Sequence, residues 1–150
     1  MSLLLAMLAL LVCGPTMIDL EDVWVAESSD MDWVEEFLSQ FPIMEHPRKI
    51  ASYPGALAFV VPGKLGVIVI VPVKHLGMAE MHVAIAPEGR GRVGIRAGRA
   101  AVGLCKERGL WLYGETPLEH KSARRYAAIC GGERIGDFED KEVRVWAAGF

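Results

Sequence analysis

Apolar positions along the chain change their period several times, and each change marks an element. Val23-Trp24-Val25-Ala26 is a run of β-branched and aromatic residues, which predicts a short strand. Trp33, Val34, Phe37 and Leu38 recur at i, i+1, i+4 and i+5, a helical stripe that Ser29 or Asp30 can cap. Pro42 and Pro47 interrupt the next stretch, so residues 41–55 read as loop with at most one helical turn. Two apolar runs, Ala56 to Val61 and Gly66 to Val73, flank Pro62-Gly63-Lys64 and predict a hairpin of buried strands.

Met78 to Ala86 predicts a further strand, ended by Pro87. Residues 92–108 come next as a helix with Val93, Ala97, Ala100, Ala101, Leu104 and Cys105 on one side, stopped by Gly109. Leu110 to Tyr113 reads as a strand, and residues 118–129 as a second long helix that Gly131-Gly132 ends. Glu133 to Gly136 and Val143 to Ala147 close the chain as two short strands around an acidic turn. The order from Val23 is β-α-β-β-β-α-β-α-β-β, which predicts an α/β (α+β) layered fold without internal repeats.

A chain of 150 residues, 52% of them hydrophobic and 23% charged, suits one globular domain with its own core. Three cysteines without a CxxC pair argue against a disulfide framework or a zinc ribbon. His46 and His75 have no partners at ligand spacing, so no metal site is expected. The mean hydropathy of +0.28 raises the question of a membrane segment, but residues 1–16 supply most of it. The apolar run Leu3 to Cys13 is 11 residues long, against the roughly 20 needed to span a bilayer. No Lys or Arg precedes it as in a secretory signal, and Val12 stands where a lipoprotein cleavage site wants a small residue. Residues 1–16 therefore read as an apolar leader or a mis-set start ahead of Met17, with residues 17–150 as a single cytoplasmic domain. A form tethered to a membrane through residues 1–13 is the third reading.

Charge divides unevenly, with −9 in residues 1–47 and +6 in residues 48–150. The acidic half is either a solvated helix face or a rim that attracts a cationic acceptor such as an amine. No basic stretch interleaved with aromatics is present, which argues against a nucleic-acid surface.

The stretch Ile85-Ala86-Pro87-Glu88-Gly89-Arg90-Gly91-Arg92-Val93-Gly94 joins a predicted strand to a predicted helix. Free backbone N–H groups and the helix dipole can hold an anion there, with Arg90 and Arg92 adding charge. No GKS or GKT comes after it, and the strands before it form a meander, so neither a P-loop nor a dinucleotide fingerprint applies.

The pattern V-x-I-x-P-E-x-R-G from Val83 to Gly91, followed by helix, strand and helix, resembles the GNAT superfamily of N-acetyltransferases. The likeness extends over about residues 22–147. Gly114-Glu115-Thr116-Pro117-Leu118-Glu119-His120 looks like that family's fifth strand and fourth helix, with His120 where Asn is usual. Within the family it is most similar to the short acetyltransferase-like proteins of tailed phages, which would place it in the host cytoplasm. The resemblance implies a central mixed, mostly antiparallel sheet of about seven strands with about three helices. It implies acetyl-CoA as co-substrate, no metal, and a small-molecule or protein amine as acceptor, and leaves a homodimer open. The amides of Arg90, Gly91, Arg92, Val93, Gly94 and Ile95 would cradle the pyrophosphate. The backbone of Val83, Ala84 and Ile85 would meet pantetheine, and His120 would cap its helix or touch CoA.

Acetyl transfer to an amine needs a base for the incoming ammonium and a proton for the departing thiolate. Glu80 and His82 alternate onto one face of the predicted strand 78–86, and either can serve as base. The family places a Tyr acid where Ala127 stands, and Tyr126 lies one position earlier, about 100° around the helix. Val93 and Ile95 also replace glycines of the family's R-x-x-G-x-G. These departures motivate an alternative: an inactive GNAT-like structural or interaction protein, for example in phage particle assembly.

Overall fold

The computed structural model describes residues 23–26, 30–41 and 54–149. The apolar segment 1–16, Met17, Ser29 and most of the loop expected over 41–55 lie outside them. Seven strands and three helices make up the described fold: β1 (Trp24–Val25), α1 (Met31–Ser39), β2 (Leu57–Val61), β3 (Gly66–Val73), β4 (Met78–Ile85), α2 (Arg92–Glu107), β5 (Leu112–Pro117), α3 (Lys121–Ile129), β6 (Glu133–Phe138) and β7 (Lys141–Trp146). The strands form one mixed, mostly antiparallel sheet in the order β1-β2-β3-β4-β5-β7-β6, and β4 with β5 is the parallel pair.

Both faces of the first half of the sheet are covered, which explains the unbroken apolar runs of β2 and β3. On one face Phe59, Ile68, Ile70, Met81, Leu112 and Trp146 pack with Ala97, Ala101, Leu104 and Cys105 of α2. On the other, Ala58, Val60, Val67, Val69 and Val71 pack with Val34, Phe37 and Leu38 of α1. Small residues on the buried side of α2 bring that helix close to the strands. Cys105 belongs to this core, where burial pushes its thiol up to about 12.

Element boundaries shift most around β5. The strand runs to Pro117, four residues past its expected end, and α3 starts at Lys121 rather than near 118. Tertiary pairing accounts for this: β7 accompanies β5 from Leu112↔Trp146 to Pro117↔Lys141 and holds Gly114 and Pro117 extended. The β6–β7 turn places Glu139 and Asp140 at φ of 47° and 64°, the tight hairpin geometry that suits right-twisted strands.

Candidate active site

β4 and β5 are paired over only two rungs, Ala79↔Leu112 and Glu80↔Tyr113. Beyond them β4 stays on β3 through Gly66↔Ile85, while β5 stays on β7. The two strands therefore part, and residues 81–85 face residues 114–117 across a gap. That gap opens into a cleft of about 650 Å³, lined by both strands, the turn before α2, and α3.

Side-chain alternation gives the cleft two different sides. Glu80 and His82 lie opposite Val71 and Val69, on the α1 face of the sheet, and Phe41 beyond the end of α1 also lines the cleft. Met81 and Val83 face the core beneath α2. A molecule in the gap thus meets polar side chains on one side and the start of α2 on the other.

Glu80 is the centre of a small network. The Tyr113 hydroxyl donates to Glu80 Oε2 at 3.4 Å, and His82 Nε2 lies 3.6 Å from that same oxygen. The His82 contact holds the Glu80 carboxyl below the usual carboxylate range against the cost of burial, with Tyr113 and more distant Lys141 assisting. Burial first, and the Glu80 charge second, push the Tyr113 phenol up to about 12. Glu80 is thus ionised at neutral pH and Tyr113 keeps its proton.

On the other side the chain makes a 3₁₀ turn over Pro87–Gly89 and enters α2 through Gly91. Gly91 has φ 102° and ψ −140°, a conformation that only glycine adopts without strain. Arg90, Gly91 and Ile95 line the cleft, Arg92 and Val93 are exposed beside it, and Gly94 is buried below. The Ile95 amide is bonded to Gly91 O at 2.9 Å and the Arg90 amide to Pro87 O at 3.3 Å. The amides left at the helix entrance are therefore those of Gly91 to Gly94, a narrower set than the six expected. Val93 is 41% exposed and its side chain does not line the cleft.

Tyr126 lines the cleft, but its hydroxyl donates to Gly94 O at 2.7 Å. It is seated on Gly98, where a Cβ would fall 2.2 Å from the phenolic oxygen. Burial pushes its phenol far up. The bond ties α3 to the first turn of α2 and so fixes the helix entrance. His120 stands just before α3, half exposed, 3.7 Å from Glu119, and lines the cleft without a side-chain cap bond.

Two features escaped the sequence reading. Tyr113 is one, because its partner across a parallel pair carries no local signal. The other is Glu142, expected within an acidic turn but 1% exposed. Burial opposes its charge, yet hydrogen bonds from Arg144 and Arg124 outweigh it and lower its pKa, with Arg134 3.8 Å away. This cage fastens α3 to β7 beneath the cleft. Among the described residues no group of three or more His, Cys, Asp and Glu could hold a metal, and no helix is long and apolar enough to cross a membrane.

No protein-family model and no curated protein matches the sequence. Solved structures do match its fold. An acetyltransferase of the GNAT family from Bacillus anthracis is similar at a TM-score of 0.65 and 18% identity, over 87% of this chain and 97% of that one. A spermidine N-acetyltransferase chimera from Vibrio cholerae and hSSAT gives 0.62 and 17%, over 82% and 93%. The ribosomal-protein-S18-alanine N-acetyltransferase from Escherichia coli gives 0.63 and 14%, over 85% and 94%. At these identities the likeness is one of fold: the chain has the mixed α/β architecture of GNAT acetyltransferases.

Proposed function

We propose that this protein is an N-acetyltransferase that binds acetyl-CoA in the gap between β4 and β5 and passes the acetyl group directly to an amine. The observation that carries this reading is the two-rung split, with a helix entrance on one side and the Glu80–His82 pair on the other. The residues present suit the co-substrate. Amides of Gly91 to Gly94 at a helix N-terminus, with Arg90 and Arg92 beside them, suit a pyrophosphate. The unpaired backbone edge of Val83, Ala84 and Ile85 suits the amides of an extended arm, and Arg125 adds charge at the cleft.

When bound, acetyl-CoA supplies a thioester whose acetyl carbon is open to attack by a neutral amine. The protein's part is to hold that carbon at the last β4–β5 rung and to remove a proton from the acceptor. Glu80 and His82 lie on the acceptor side for that task, and Tyr126 sets the cradle through Gly94. Compact polyamines and the free amino end of a protein are the acceptor classes to try first, since two of the similar structures are named for spermidine and for a ribosomal-protein alanine.

Calorimetric titration of the full chain with acetyl-CoA tests this reading, beside the Arg90→Glu/Arg92→Glu double variant. Saturable binding is expected, weakened at least about tenfold by the charge reversal. Absence of binding by the parent protein would overturn the reading. Thiol release with spermidine and with an alanine-ended peptide then tests transfer.

A second reading, an interaction protein without activity, draws support from β6. That edge strand is exposed throughout, and Ile135 and Phe138 are each 64% exposed. Binding of acetyl-CoA with no turnover of any amine would favour it.

A further inference from the structure

The geometry points to His82 as the base that deprotonates the acceptor, with Glu80 and Tyr113 as positioning residues that act through it. This rests on the acetyltransferase reading and resolves which member of the pair takes the proton. The single oxygen Glu80 Oε2 faces both His82 Nε2, at 3.6 Å, and the Tyr113 hydroxyl, at 3.4 Å. A carboxylate oxygen that accepts from one hydroxyl and faces an imidazole is stabilised in its charged form and is a correspondingly poor proton acceptor. His82 turns its Nε2 edge to that carboxylate, so the nitrogen whose lone pair is left for an incoming proton is Nδ1.

The three residues come from two strands that meet only at this point. Glu80 and Tyr113 are opposite one another on the last rung of the β4–β5 pair, and His82 is the next residue of the same face, on the first unpaired stretch. Tyr113 therefore fixes Glu80 from across the seam, and Glu80 fixes the imidazole. Among the described residues, Lys141 of β7 acts on Glu80 and Glu115 of β5 acts on Tyr113, and the two lie 3.7 Å from each other.

The step is a proton transfer only. One N–H bond of the acceptor ammonium breaks and an Nδ1–H bond forms on His82. The positive charge moves to the imidazole beside the Glu80 carboxylate, and the amine is left with a free electron pair. The proton then passes from the imidazolium to water.

Two kinds of measurement test this. Long-range proton–nitrogen spectra of the full chain need no substrate: Glu80→Ala should release the Nε2–H tautomer, so that the His82 Nε2 and Nδ1 resonances move toward each other. A His82 spectrum indifferent to that change would overturn the pairing. Turnover is then followed with spermidine, or with the alanine-ended peptide if that is the probe acetylated. At neutral pH His82→Ala should lower turnover about 100-fold, with rescue by free imidazole and by alkaline pH, where the acceptor is already neutral. Tyr113→Phe should lower kcat about threefold at unchanged KM, and should add nothing to His82→Ala, because residues acting as a unit are non-additive. Retained turnover in His82→Ala with loss in Glu80→Gln would make Glu80 the base and overturn the proposal. So would a Tyr113→Phe effect that multiplies with that of His82→Ala, since it would mark Tyr113 as merely structural. A parent protein that binds no acetyl-CoA, or acetylates neither probe, would bring down the functional reading and this proposal with it. The reversed roles of His82 and Glu80 would leave the functional reading standing.

Discussion

On the β4 wall of the cleft the polar groups are side chains, Glu80 and His82, whereas on the α2 wall they are backbone amides from Gly91 to Gly94. The β4 wall is a strand face whose backbone is fully paired to β3, so its polar side chains cost the fold little to change. The α2 wall is shaped by close contacts of Gly98 with Tyr126, and by the Glu142 cage that anchors α3. One wall is chemically exacting and structurally tolerant, and the other is the reverse. On the proposed reading, side-chain identity decides function on the first, and the room left for a Cβ decides it on the second.

That contrast can be broken at four points. Glu142→Ala leaves three guanidinium groups around a missing carboxylate, and a loss of about 3 kcal/mol is expected by denaturant unfolding. Because the folded-state pKa of Glu142 lies below its ordinary 4.5, its contribution is present above that value and fades as pH falls through the lower folded one. The variant should therefore have a flatter acid limb in a plot of Tm against pH. Gly98→Val drives a side chain into the Tyr126 ring and should cost about 2 kcal/mol, partly recovered by adding Tyr126→Phe. On the β4 wall, His82→Ala should change stability by less than about 0.5 kcal/mol despite its effect on turnover. A large destabilisation there would erase the distinction between the walls. Val93→Gly is the smallest test: because that side chain does not line the cleft, acetyl-CoA affinity should change by less than about twofold.

The β4 wall is legible in the sequence because a strand's period is two. Ala79 to Val83 alternates apolar and polar residues, so that residue order alone puts Glu80 and His82 on one face. The Pro87–Gly91 turn is legible as well, since Pro and Gly at fixed offsets specify backbone shape. The strand neighbours of β5 are not, because the sheet order β5-β7-β6 depends on contacts distant in sequence. Tyr113 and Glu142 are hidden for the same reason. Tyr113 meets Glu80 across a parallel pair, and Glu142 becomes a buried charge only when arginines from α3, β6 and β7 converge on it. For Tyr126 the residue order gives an angle around a helix, whereas its hydroxyl is claimed by a carbonyl of another helix.

Two rungs at mid-sheet also make the β4–β5 seam a pivot. The halves β1–β4 and β5–β7–β6 are joined through the sheet at Ala79↔Leu112 and Glu80↔Tyr113, and beyond these rungs the two strands are unpaired as far as Ile85 and Pro117. A small change of tilt between the halves displaces the far lips of the gap by an amount that grows with distance from the pivot. Glu80 and Tyr113 sit on the fulcrum itself, where the same tilt moves atoms least. Such a tilt would shift the lips of the cleft while leaving the Glu80–Tyr113 contact nearly in place.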